Sequence, residues 1–266
     1  MMLYDTTADV IRKALRGLDL APSEAAARAG LPEKDVMAAA RGPVSREVLE
    51  QLAPALGLSP LALAGLPDFV PPACELPQIT RLELPFDDET VNAWLVQDGA
   101  GGNVLFDAGD GPQDVAQALD AQGTGQLDIF ITHEHHDHVG GLPALRARIR
   151  SLAGPAEGER LKGGERLERG ALSIRAIPLP GHCLGALGYV IEGLAVPVCV
   201  TGDALFAGSM GGCAPGEPYR EALAANRKEV LSLPPETILL PGHGPASTAG
   251  SELLANPFLA KDVIQR

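Results

Sequence analysis

The spacing of apolar positions changes character near residue 79. Through residues 1–70 it follows a helical period. Ile11, Leu15 and Leu18 fall on one face, and Val48, Leu49, Leu52 and Leu56 form another stripe. Start signals precede these runs. Thr6 and Asp9 have capping-box spacing, Ser23 precedes "EAAARAG", Ser45 precedes "REVLEQLAPALGL", and Ser59 is followed by Pro60. Gly30 breaks the chain before "LPEKDVMAAARG". The pattern predicts about five short helices. "LPDFVPPACELPQ" (66–78) has no period and is rich in proline, so it reads as a linker over 71–78.

From residue 79 the runs become short and β-rich. They are "ITRLELPF", "VNAWLV", "GNVLFDAG", "LDIFITH", "ALSIRAIPL", "LGYVIEG", "VPVCVTGD" and "ETILLPGHG". "GPQDVAQALDAQ", "GLPALRARIRSL", "YREALAANRKEVLSL" and "SELLANPF" read as helices between them. "VLF" and "IFI" are apolar on both faces, as strands covered by helices must be. The expected fold is therefore α/β. It comprises a small all-helical domain (1–70) before a layered αβ/βα sandwich (79–266).

Composition adds exclusions. The formal net charge of −13 repels phosphate backbones and anionic membranes. No apolar run is long enough for a membrane span, and Met1–Leu20 lacks the pattern of a signal peptide. Cys74, Cys183, Cys199 and Cys213 show no CxxC spacing, which predicts free thiols and a cytoplasmic protein. A small-molecule substrate is the expected partner, rather than nucleic acid or a membrane.

The chemistry gathers at strand ends. "LDIFITH" ends at His133, "IRAIPLPGH" at His182, "VPVCVTGD" at Asp203 and "ETILLPGH" at His243. Loops at strand ends are where a rigid scaffold presents functional groups. A lone histidine is more often structural than ligating, and Asp203 alone could cap a turn. The joint pattern is what points to metal. In "THEHHDHVGG", His133 and His135 can aim at one ion, while Asp137 and His138 can aim at a neighbouring one. A helix starting near Gly140-Gly141 would set its positive end beside them. His136 and Glu134 are expected to be bystanders. Asp107 in "FDAGD" reads as a turn former or a partner to a ligand. Imidazoles and carboxylates suit Zn²⁺, with Fe or Mn²⁺ also open.

The series His133-x-His135-x-Asp137-His138, then His182, Asp203 and His243, resembles the metallo-β-lactamase superfamily. "TGDALFAGS", "LLPGHGPAST" and "NPFLA" look most like its glyoxalase II-like (hydroxyacylglutathione hydrolase-like) branch. The resemblance implies a four-layer sandwich and two divalent ions. His133, His135 and His182 would hold one ion, Asp137, His138 and His243 the other, and Asp203 would bridge them. A metal-bound hydroxide, oriented by Asp137, would then attack a thioester, lactone or related ester. Departures widen the substrate range. The usual "GHTPGS" loop is "GHCLGA", Gly212 stands where an arginine is common, and 23 residues follow His243. That is too few for the C-terminal helical domain of the larger glyoxalase II enzymes, so a glutathione thioester is one candidate among several. An alternative in the same superfamily is a persulfide dioxygenase with one iron on His133, His182 and Asp203.

"SEAAARAGLPEKDVMAAARGP" resembles helix-turn-helix domains of the Cro and phage-repressor type. A DNA-binding regulator with a metal-domain sensor is therefore a second alternative. Its reading helix would offer Glu33, Lys34, Asp35, Met37 and alanines, and residues 1–70 hold seven Lys/Arg against nine Asp/Glu. That balance lacks an electrostatic footprint for DNA and favours a cap, a substrate-side lid or a homodimer contact.

Overall fold

The computed structural model describes residues 2–156 and 158–262. Five short helices come first: α1 (Thr7–Gly17), α2 (Pro22–Ala29), α3 (Glu33–Ala39), α4 (Arg46–Leu52) and α5 (Pro60–Gly65). Thr6 and Asp9 form a reciprocal capping box, and Ser45 and Ser59 cap α4 and α5. Ser23 does not act as the cap of α2. That helix starts at Pro22 with Ala21 at the cap, and the Glu24 side chain reaches back to the Ala21 N–H. Proline at the first helical position moves the start ahead of the serine. The buried face of α1 carries Val10, Ile11, Ala14 and Leu15, while Leu18 lies beyond the last turn and is exposed.

Two six-stranded sheets follow. The first runs in sequence order through β1 (Ile79–Phe86), β2 (Glu89–Gln97), β3 (Asn103–Phe106), β4 (Leu127–Phe130), β5 (Ile149–Gly154) and β6 (Glu159–Arg160). It is antiparallel up to β3 and parallel from β3 onward. The second is ordered β12-β11-β10-β9-β8-β7. Its strands are β7 (Arg166–Arg169), β8 (Leu172–Pro178), β9 (Leu187–Glu192), β10 (Val198–Gly202), β11 (Ile238–Pro241) and β12 (Ser247–Thr248). Helices α6 (Pro112–Ala121), α7 (His136–Val139) and α8 (Leu142–Leu145) belong to the first half, and α9 (Glu217–Ala225) and α10 (Ala249–Ala255) to the second.

One sequence expectation fails here. "GLPALRARIRSL" is not one helix, because α8 ends at Leu145 and Ile149–Gly154 is strand β5. The open edge of β4 captures it: Asp128 pairs with Ser151 in the ladder and also takes Arg150 and Ser151 side chains. A tertiary partner overrides a locally helical pattern.

Three apolar cores account for the layers. Trp94, Phe106, Phe130, Tyr189, Val200 and Leu240 fill the space between the sheets. Leu95, Leu105, Ile129 and Leu145 bury the outer face of the first sheet under α6 and α8. Ile177, Val190, Cys199 and Leu239 bury the outer face of the second sheet, and this third core is continuous with Ile11, Leu52, Leu56 and Leu63 of the N-terminal helices. The helical segment thus joins the outer helical layer of the sandwich. All four cysteines are free. No helix among the described residues is long and apolar enough to cross a membrane.

Candidate metal centre

Parallel pairing places the C-terminal ends of β3 and β4 side by side, and does the same for β10 and β11. The chain leaves each of these strands through a loop carrying Asp107, His133, Asp203 or His243. His182 comes from the loop after β8. All seven residues expected from the sequence come together. Their ligating atoms form three groups, His133-His135-His182, His133-His138-Asp203 and Asp137-His138-His243, each within 4.8 Å.

The imidazoles are oriented from behind. His182 Nδ1 donates to the Gly212 carbonyl and His243 Nδ1 to the Thr90 carbonyl, both at 2.8 Å. His138 Nδ1 donates to Asp107 Oδ2 at 2.8 Å, and His133 Nδ1 to Thr132 Oγ1 at 3.0 Å. A neutral ring that donates through Nδ1 keeps a lone pair on Nε2. Four Nε2 lone pairs therefore point inward. His135 adds its Nδ1, at 3.1 Å from His133 Nε2 and 3.0 Å from His182 Nε2.

Asp203 sits between the groups. Its Oδ2 is 3.5 Å from Nε2 of both His182 and His243, and its Oδ1 is 3.3 Å from His138 Nε2. Neither His138 Nε2 nor Asp203 Oδ1 makes an aligned hydrogen bond, although both are buried. Orphaned buried polar atoms cost free energy unless something else satisfies them. Converging nitrogen lone pairs beside orphaned carboxylate oxygen suit a divalent cation. The residues present fit such an ion.

The electrostatics agree with that fit. Burial, reinforced by neighbouring histidines, lowers the His133 pKa to about 2, so the ring stays neutral. Burial opposes charge on His138 as well, but the Asp203 and Asp107 carboxylates outweigh it and raise the pKa well above the usual value. His243 rises to about 9, since Asp137 and Asp203 outweigh its burial. Burial likewise resists the ionised form of Asp203, and His138 overcomes this to hold the carboxyl well below its ordinary range. The carboxylates therefore create demand for positive charge, which a proton or a metal ion can meet.

His136 is an outlier as expected. It is exposed and pairs with Asp110 at 2.7 Å, and Glu134 is exposed too. A helix does begin beside Gly140-Gly141, since α8 starts at Leu142 with Gly141 at its cap, and a further single turn, α7, precedes it from His136 behind His135. The two glycines end that turn, where they pack on the carbonyls of Asp110 and Ala108, leaving no room for a side chain.

Sequence reasoning missed Asn92 and Trp94. Asn92 is fully buried and donates to the Pro241 and Gly244 carbonyls at 2.9 Å, while Trp94 Nε1 donates to Pro241 O at 2.8 Å. Together they pin the loop bearing His243. A polar Asn inside the apolar strand "VNAWLV" was the available signal. On the other side, Glu134, Lys162, Pro180, Leu184 and Leu187 help line an open groove of about 380 Å³, and Leu184 is 99% exposed.

A sequence profile described as the metallo-beta-lactamase superfamily matches residues 86–151. A hydroxyacylglutathione hydrolase of Fuscovulum blasticum is 34% identical over 161 residues, covering 57% of this chain and 61% of that protein. One from Acidiphilium cryptum is 33% identical over 177 residues, covering 62% and 68%. The crystal structure of TTHA1623 in a di-iron-bound form is 30% identical, with a TM-score of 0.53, covering 66% of this chain and 99% of that one. The chain spans about three fifths of the length of the first curated relatives it matches. The histidine and aspartate cluster, the sandwich fold and these similarities together place the chain in the metallo-β-lactamase superfamily, in its glyoxalase II-like, metal-binding branch.

Proposed function

We propose that this protein is a metal-dependent hydrolase with two divalent ions, zinc first among the candidates, acting on a thioester or related ester. The observation that carries this reading is the gathering of four inward Nε2 lone pairs, His135 Nδ1 and two carboxylates into adjoining ligand groups at the strand ends. His133, His135 and His182 would hold one ion and Asp137, His138 and His243 the other, with Asp203 placed between the two sets. Divalent ions supply Lewis acidity at such a site, acidifying water and polarising a carbonyl.

The remaining work falls to the chain. His243 and His138 keep Asp137 anionic against its burial, so its pKa stays below the ordinary value. The Asp137 carboxylate accepts a hydrogen bond from the attacking water and orients it. Buried Asp203 and His138 exclude bulk water from the floor of the site. The groove beside Leu184 receives the substrate's apolar portion. The thioester class is supported by the hydroxyacylglutathione hydrolases among the relatives. The helical segment 1–70 serves as a structural cap on the second sheet, supported by the core it shares with that sheet.

Elemental analysis of the purified protein, followed by a panel of thioesters, lactones and phosphoesters, tests the reading. The expected result is two ions per chain and thioester turnover, both lost in His133→Ala and Asp203→Ala. Turnover retained by metal-free protein would overturn it. A single iron with oxygen uptake on a glutathione persulfide would replace it with dioxygenase chemistry.

A further inference from the structure

Tyr4 precedes the first helix, yet it lies against the metal centre. Its ring stacks on His243, with centroids 4.6 Å apart and planes inclined by 17°. Its hydroxyl donates to Glu89 Oε2 at 2.6 Å. Glu89 is the neighbour of Thr90, whose carbonyl accepts from His243 Nδ1. Consecutive residues of β2 thus hold the imidazole twice, Thr90 directly at an edge and Glu89 through Tyr4 on a face. Phe206 completes the packing, edge-on to Tyr4 at 5.2 Å and to His243 at 5.8 Å. Gly244 (φ +73°) allows the approach, because a methyl there would sit 2.9 Å from Tyr4 Cβ.

The same segment is anchored a second time. Lys13 on α1 pairs with Asp5 and donates to the Met210 carbonyl at 2.9 Å. Met210 lies two residues before Gly212, whose carbonyl orients His182. The N-terminal segment therefore contacts the ring of His243 and the loop whose Gly212 carbonyl orients His182.

We infer that Tyr4 is a positioning residue for His243, so that the N-terminal segment completes the metal centre. A hydrogen bond at Nδ1 fixes one edge of the ring but permits tilting about it. A parallel aromatic ring with its centroid 4.6 Å away removes that freedom and holds Nε2 toward the Asp137 and Asp203 carboxylates. The inference rests on the reading that His243 holds a metal.

Stepwise zinc removal by a chromophoric chelator tests both claims separately, with thermal unfolding of each metal-free variant as a second readout. His243→Ala should lose one ion and keep the other. If it retains both, the metal assignment of His243 fails. Tyr4→Ala should release the ion that His243→Ala loses about tenfold more readily and leave the other unchanged, while Tyr4→Phe, which keeps the ring, restores most of the affinity. A Tyr4→Ala protein with both wild-type affinities overturns the inference while leaving the metal reading intact. So does a Tyr4→Phe protein as impaired as Tyr4→Ala, since the face would then not be the agent. If Tyr4→Ala does not fold, Tyr4→Leu fills much of the volume without an aromatic face and is judged by the same two outcomes.

Discussion

Asp107 Oδ2 lies 2.8 Å from His138 Nδ1, on a residue whose own backbone is left-handed at φ +62°. The same carboxylate accepts from the Thr132 N–H and hydroxyl, each at 2.8 Å. Thr132 in turn accepts from His133. One buried acid therefore orients two histidines of the centre. Asp and Asn tolerate the left-handed region better than most residues, so Asp107→Asn should keep the fold. All three groups facing Asp107 are donors, however, and an amide can accept only through its oxygen. Asp107→Asn is expected to weaken metal binding by about 10–100-fold, read by competition with a chelator. Unchanged affinity with normal folding would remove Asp107 from the account.

Gly242 is outside the left-handed region that only glycine adopts freely. A methyl there would overlap Asp203 Oδ1 and approach His138 Cε1 to 2.7 Å. Gly242→Ala should cost about 1–3 kcal/mol in thermal stability by over-packing. The larger effect expected is on metal content, measured by elemental analysis after dialysis. Full metal loading would show that Asp203 can move without consequence.

Glu252 is fully buried and sits away from the metal centre. It accepts from Gly208 N at 3.0 Å and Asn256 Nδ2 at 2.9 Å, and its Oε1 has no partner. Burial raises its pKa to about 7. Between about 4.5 and about 7 the folded protein binds the proton and the unfolded chain does not. Stability from this group is therefore greatest below the unfolded value and declines as pH rises through the folded one, by roughly 3 kcal/mol at most. Glu252→Gln should flatten that slope in denaturant unfolding measured from pH 5 to 8. A slope identical to the wild type would refute the assignment.

Leu63 is fully buried in the core that joins the N-terminal helices to the second sheet. A shared core implies that the helices do not melt by themselves. Leu63→Ala should lower stability by about 2–5 kcal/mol and leave one cooperative transition. Two separated transitions would show that the helical segment folds independently.

The sequence was most legible where local chemistry and spacing coincide. The helix-starting roles of Thr6, Ser45 and Ser59 are local hydrogen bonds, readable from a few residues, and so are the strand ends at His133, Asp203 and His243. It was misleading after Leu145, where an arginine-rich pattern with helical spacing gives way to β5 from Ile149 because a distant strand offers Asp128 and an open edge. Ser23 failed for a smaller reason, one residue of helix start set by Pro22.

The sequence by itself determined the α/β class and the set of residues available to bind metal, since both follow from periodicity and side-chain chemistry. Only the tertiary structure decided what stands behind them. Asp107 under His138, Asn92 and Trp94 under the His243 loop, and Tyr4 on the His243 ring are partners separated by 31 to 239 positions in the chain. No local pattern encodes such pairings, because they arise when two sheets and a helical layer close around a common core and leave each buried polar group to find its partner.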